Sequence, residues 1–312
     1  MAERMGFEPM KGLLLYTLSK RAPSTTRPSL QTIRIYFYLY DIYLLMKIFD
    51  CFIFNDENSI LEIRLNQMNK YVDYFVIVEF GENHQGKFKG KKIKEEIFEK
   101  FQNKVRYFYI EKFANNLNSW QRENHQRNSL INGLYDANQN DIIIVSDLDE
   151  IPNLSKINLL NLDDKIYAFN QINTMYKFNM VRDYNWIGSK LCKFKKLKSP
   201  QWIRSLKVHK KYSYFRIDKF FSNNYIHNFE IIKNGGWHFG WIRNIDEIIN
   251  KLDSFAHTEF NNSKFKNYKY ISDCMSKNIN FLDKQEILEK IDISLLPDYL
   301  VSNKDKFKDY LK

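Results

Sequence analysis

The sequence predicts an α/β protein with a mostly parallel sheet flanked by helices and an elaboration at its C-terminal end. Short β-branched and aromatic runs recur at 47–54, 74–80, 105–110 and 141–145. Helical spacing fills the gaps between them, and strands alternating with helices imply βαβ units. With 312 residues, 44% hydrophobic and 16% aromatic, the chain can fill the core such a sheet needs.

Residues 47–54 (KIFDCFIF) read as a buried strand and Asn55–Asn58 as a turn with N-cap chemistry. Ile60, Leu61, Ile63, Leu65, Met68 and Tyr71 then recur near helical spacing. A second strand, 74–80 (YFVIVEF), is followed by a polar loop, a charged amphipathic helix near 91–103 and a strand at 105–110. A longer helix is expected over 116–138, with Leu117, Trp120, Leu130, Ile131 and Leu134 on one face. The next strand, 141–145, runs straight into Ser-Asp-Leu-Asp-Glu-Ile-Pro. Beyond Pro152, short strands near 166–181 and 190–196 suggest an antiparallel extension, and 245–256 and 283–292 read as helices. No linker divides 46–312, which is expected to form a single domain.

Residues 1–45 look foreign to the rest. They contain no asparagine, common from Asn55 onward, and hold three of the six prolines, Pro9, Pro23 and Pro28. Gly6-Phe7-Glu8-Pro9 can be encoded by the T-arm consensus of a tRNA gene. The expectation is a non-native extension, with the natural start at Met46. The alternative is a targeting or anchoring segment, but Asp41, Lys47 and Asp50 interrupt the apolar run at 35–54, and a spanning helix needs about 20 largely uncharged residues.

The formal net charge of +11 fits phosphorylated small molecules, nucleic acid or an anionic membrane surface. The lysines are scattered and no nucleic-acid-binding motif appears, so a phosphate-rich substrate is expected, with peripheral membrane association left open. Cys51, Cys192 and Cys274 are far apart and form no CxxC pair. Buried thiols in a reducing, cytoplasmic setting are expected rather than a disulfide or structural zinc.

Asp147 and Asp149 leave a buried strand two residues apart, a spacing that in extended chain puts both on one side. In parallel sheets, ligands bind at the carboxyl ends of the strands. Paired carboxylates there suit Mn²⁺ or Mg²⁺, held together with substrate phosphates. The plainer reading of the acidic triplet is a turn or a helix cap.

Several segments, taken in order, resemble glycosyltransferase family 17: KIFDCFIFNDE at 47–57, Leu61-x-x-Arg64-Leu65, Val72-Asp73 before FVIVEF, and His84-Gln85-Gly86-Lys87. SDLDEIP at 146–152, GGWHFGW at 235–241 and SFAHTE at 254–259 continue the series. The resemblance implies a GT-A-like fold, an inverting reaction and a UDP-sugar donor, in particular UDP-N-acetylglucosamine. The family's known activity adds β-1,4-linked N-acetylglucosamine to the core mannose of N-glycans, but the acceptor does not carry over. A composition rich in Lys, Asn and Ile points instead to a bacterial surface glycan.

An inverting transferase needs a group that stabilises the leaving diphosphate, a carboxylate that takes the acceptor's proton, and a nucleotide pocket. His238 is the candidate third metal ligand, or else a core histidine. Glu259, Glu150 and Asp253 are the candidate bases, against surface carboxylates or, for Glu150, a helix cap. Arg122 and Arg127 are candidates for the diphosphate, although Glu123 and Arg127 could simply pair at i, i+4. Glu79, His84 and Lys87 border the expected donor pocket, or belong to a solvated loop. Trp237 and Trp241 read as core rather than as sugar-stacking platforms. Two other classes stay open: a nucleotidyltransferase or phosphohydrolase using the same paired Asp, and a non-catalytic carbohydrate-binding protein.

Overall fold

The four apolar runs lie side by side because each can be covered on both faces. In the computed structural model, β1 (Ile48–Phe54) pairs in parallel with β2 (Tyr74–Phe80) and with β4 (Ile142–Asp147). The strand β2 pairs in parallel with β3 (Val105–Ile110). The structure describes residues 46–207, 229–254 and 263–312, without the side chains of Asp253 and Ser254. The expectation for residues 1–45 lies outside them.

Alternation along β1 sorts its side chains. Phe52 and Phe54 join Phe75, Ile77, Ile142 and Ile144 beneath helix α1 (Asn58–Met68), which contributes Leu61 and Leu65. Phe49 and Cys51 meet Val76, Val78, Ile143 and Val145 on the other face, covered by Leu130 and Leu134. Burial of each large apolar side chain contributes on the order of 1.5–3 kcal/mol.

The remaining strands change direction. β5 (Glu150–Pro152), β6 (Ile166–Met175), β7 (Met180–Lys193), β8 (Phe229–Ile232), β9 (Gly236–Trp241) and β10 (Glu289–Lys290) complete a ten-stranded sheet ordered β3-β2-β1-β4-β7-β6-β9-β5. β8 pairs with β6 and β10 with β7, off that path. The strand β7 runs antiparallel to both β4 and β6, whereas β6 and β9 are parallel. The parallel arrangement thus holds through β4, and the antiparallel extension expected beyond Pro152 appears as a mixed half.

Several local expectations need correction. The N-cap of α1 is Glu57, which makes no side-chain cap bond. The charged segment near 91–103 is a 3-10 helix at Glu95–Phe101. The long helix at 116–138 divides into α2 (Ser119–Asn128) and a 3-10 stretch, Ser129–Leu134. Its expected apolar face is also wrong in part: Trp120 and Ile131 are exposed, while Gln126 and Arg127 are buried. Helix α2 turns polar side chains inward because they reach a polar cavity.

Helix α3 (Pro200–Ser205) begins with Ser199 accepting from Trp202 N and with Pro200 in its first turn, a start signal in the sequence. Helix α4 (Ile245–Ser254) appears where expected. The helix expected at 283–292 is absent; that stretch contains β10 and precedes a 3-10 turn, Ile293–Leu295. An unexpected helix, α5 (Tyr268–Ser276), packs Ile271 and Cys274 into a satellite core with Trp241 and Ile248.

All three cysteines are buried and unpaired. Trp237 is a core residue, as expected; Trp241 is buried in the satellite core and also lines the cavity. No helix among the described residues is long and apolar enough to cross a membrane.

Candidate active site

The C-terminal ends of β1 and β4 open into a cavity of about 490 Å³. Register places Asp147 opposite Ile53, so the acidic sequence emerges at the sheet edge beside the end of β1. Helices α2, α3 and α4 supply Arg127, Arg204 and Lys251 to the walls, and β9 supplies His238.

The acidic turn is tied down from beneath by Arg64 of α1. This residue is 0% exposed, and its guanidinium binds Asp50 through Nε (2.9 Å) and Nη2 (2.6 Å). Its Nη1 donates to the carbonyls of Asp147 (3.0 Å), Leu148 (3.1 Å) and Glu150 (2.8 Å), and Nη2 donates to Ser146 Oγ. The chain therefore turns at Leu148–Asp149 instead of running on extended, and the two aspartates meet different partners.

Asp147 sits between two guanidinium groups. Its Oδ1 accepts from Arg127 Nη2 (2.9 Å) and its Oδ2 from Arg204 Nη2 (2.8 Å). Burial pushes its carboxyl pKa up, but Arg204 and Arg127 outweigh that and hold it well below the usual carboxylate range. Arg204 also pairs with Glu150 (Nη1–Oε2 2.8 Å, Nη2–Oε1 3.1 Å) and donates to Gly188 O (2.9 Å). Glu150 further accepts from Trp186 Nε1 (3.0 Å) and Asp147 N (3.2 Å). Each of its oxygens is thus committed to two donors, which makes it an anchor for Arg204 and Trp186.

Lys190 of β7 supports this wall. Its ammonium donates to the carbonyls of Arg204 (2.7 Å) and Leu206 (2.8 Å), at the end of α3. Burial, reinforced by Arg204, lowers its pKa to about 7, against an opposing pull from Glu150 and Asp147. Below that value the folded and unfolded chains both hold the proton, and the cost of burying the charge is present. Above it only the unfolded chain keeps the proton, up to the ordinary lysine range, so stability rises with pH. Unfolding free energies from urea titrations between about pH 7 and pH 9 are expected to climb, with a slope approaching about 1.4 kcal/mol per pH unit. A Lys190→Met protein is expected to lack that rise; equal slopes would rule out Lys190 as its source.

Asp149 faces His238 and Lys251. Its Oδ1 lies 3.7 Å from His238 Nε2, and its Oδ2 lies 3.8 Å from Lys251 Nζ. Burial raises the Asp149 pKa, but His238 and Lys251 reverse this and leave it lowered. Trp186 stacks on the His238 ring at 4.4 Å, and His238 Nδ1 is buried without a hydrogen-bond partner.

A separation of 3.7 Å is too long for a direct hydrogen bond and wide enough for one oxygen and one nitrogen to flank a single ion. The pair, a hard carboxylate and an imidazole, suits Mn²⁺ or Mg²⁺ completed by water and phosphate oxygens. Among the described residues, no three His, Cys, Asp or Glu side chains gather as a metal site. Asp147 is turned toward the arginines instead.

His84 and Arg127 line the cavity; Glu79, Lys87 and Arg122 do not. His84 is held by Gln126, whose Nε2 donates to Phe54 O (3.1 Å) and Val78 O (3.2 Å). Oε1 of Gln126 is therefore the acceptor for His84 Nε2, at 2.8 Å. Glu79 is 0% exposed and pins the following loop through Lys89 Nζ (3.1 Å), Lys92 N (2.6 Å) and Tyr107 OH (2.8 Å). Arg122 donates to His84 O (3.1 Å), and Lys87 is exposed. Arg127 pairs with Glu123 (2.7 Å) as its spacing suggests, and reaches Asp147 as well. Glu259 and the side chain of Asp253 lie outside the described residues.

Gly235 and Gly236 have a structural use. Gly236 adopts φ +127°, and a Cβ there would stand 2.1 Å from Ile151 O, so the close approach is to the chain's own backbone. Sequence reasoning missed Arg204, Lys251, Trp186 and Gln126. Only the Ser199–Pro200 helix start was available as a signal, and it placed the helix without showing where Arg204 would point.

The model of glycosyltransferase family 17 matches residues 40–312. No curated protein matches the chain.

Proposed function

The chain belongs to glycosyltransferase family 17 and so handles a sugar donor and an acceptor; from that premise we propose an inverting, cation-assisted transfer, with N-acetylglucosamine from UDP-N-acetylglucosamine as the group moved. The observation that carries this reading is the cavity at the carboxyl ends of β1 and β4, where Asp149, His238, Arg127 and Arg204 converge. Family membership supports a glycosyltransferase over the nucleotidyltransferase, phosphohydrolase and lectin readings. The fold we infer for the family is GT-A-like, and the parallel half of the sheet supports that assignment.

In this reading Asp149 and His238 hold a divalent ion, Mn²⁺ or Mg²⁺, which neutralises charge growing on the leaving diphosphate. Arg127 and Arg204 add fixed positive charge to the same cavity. Trp186 keeps the His238 ring in place by stacking, and its N–H holds Glu150. Lys251 is anchored on Gly240 O (2.7 Å) and faces Asp149. Because Glu150 is fully committed, the acceptor's proton is assigned to Glu259 or Asp253, the two carboxylates that the sequence sets near His257.

The test is incubation of the purified protein with UDP-N-acetylglucosamine, other UDP-sugars and Mn²⁺. UDP release that is fastest with the N-acetylglucosamine donor and is abolished by EDTA is the expected result. Release that persists in EDTA would overturn the cation role, and equal rates with every UDP-sugar would overturn the donor assignment.

A further inference from the structure

We propose that Arg127 and Arg204 form a diphosphate clamp, and that Asp147 occupies it in the free protein as an internal stand-in for a phosphate. The inference deepens the nucleotide-sugar reading and rests on it for the natural ligand. The two oxygens of Asp147 each accept from a different guanidinium, at 2.9 and 2.8 Å. This is how phosphate oxygens meet paired arginines.

The two cations stay in place by means other than Asp147. Arg127 is held by Glu123 Oε1 (2.7 Å) and by Gln201 Oε1; Arg204 is held by Glu150 and Gly188 O. Asp147 is the most accessible member: its side chain is 32% exposed, against 5% for Arg127 and 14% for Arg204. It is therefore the group that can swing away while both arginines stay fixed.

A second observation points to a ligand. Arg127 Nε is buried and has no hydrogen-bond partner, an unmet donor on a guanidinium that lines the cavity. As placed, Asp147 leaves this third N–H unserved, whereas a diphosphate carries oxygens enough to meet it together with Arg127 Nη2 and Arg204 Nη2. Asp147 acts by competing for the clamp, so it sets donor affinity from within the site.

The test is calorimetric titration of the full-length protein with inorganic pyrophosphate in EDTA. Wild type is expected to bind. Arg204→Gln is expected to weaken binding by about 30-fold or more, as loss of a charge-assisted hydrogen bond and its cation does. Asp147→Asn is expected to tighten it by about tenfold, because the competing charge is gone while the side chain's shape is kept.

Pyrophosphate affinity that falls or stays constant in Asp147→Asn overturns the proposal, as does wild type that binds none. If Arg204→Gln does not fold, Asp147→Asn and Arg127→Lys carry the test, the latter expected to weaken binding. Pyrophosphate binding with these ratios but no turnover of any nucleotide sugar would sink the function reading and leave the clamp standing. Turnover with pyrophosphate affinity insensitive to both substitutions would sink the clamp alone.

Discussion

An Asp149→Asn protein is expected to keep its fold and lose turnover by about two to three orders of magnitude, the size of effect seen when one preorganised electrostatic contact to a leaving group is removed. Among the described residues the Asp149 carboxylate makes no hydrogen bond to the core; it lies 3.7 Å from His238 and 3.8 Å from Lys251. The substitution keeps the side-chain volume and removes the charge that would hold a cation. The measurement is kcat for UDP release at saturating donor and Mn²⁺, with near-UV circular dichroism to follow the aromatic packing around Trp186 and His238. Turnover within a factor of about three of wild type would sink the cation assignment at this carboxylate, being less than 1 kcal/mol of transition-state stabilisation.

An Arg64→Met protein is expected to be destabilised by about 3–5 kcal/mol, because Asp50 would be left buried without its countercharge. Both side chains are 0% exposed. Adding Asp50→Leu is expected to restore most of the stability, since a buried ion pair replaced by apolar residues of similar volume is often neutral or better. Turnover is not expected to return with it. The carbonyls of Asp147, Leu148 and Glu150 would still lack the donor that shapes their turn. Urea denaturation and kcat on the two proteins separate these effects. A double mutant as active as wild type would make Arg64 a core residue only; one as unstable as Arg64→Met would refute the burial argument.

The parallel half of the sheet was legible because its strands are short, apolar and covered on both faces, so their own side chains announce them. The strand at 74–80 matches β2 residue for residue, and the long β6–β7 hairpin was visible at least as strand-forming sequence. Helix α2 was misread because the inward face of a helix beside a cavity carries Gln126 and Arg127, a pattern that hydropathy assigns to solvent. Residues 283–292 have helical composition, but they lie against β7 through β10, where strand pairing wins. Within the site, Asp147, Asp149, His238, His84 and Arg127 were named from sequence, and all line the cavity. Glu79, Lys87 and Arg122 were named with them and do not.

By itself, then, the sequence determined the βαβ rhythm, the buried strands, the family and the acidic residues at the end of β4. Those features depend on residues close together in the chain, where local spacing and hydrophobicity decide. What only the tertiary structure decided is how the charges divide: Asp147 to Arg127 and Arg204, Asp149 to His238 and Lys251. That division joins residues from α2, β4, α3, β9 and α4, and depends on Arg64 bending the chain between the two aspartates. Coulombic and hydrogen-bonding energies follow distance in space, and no one-dimensional spacing encodes which arginine a carboxylate will meet.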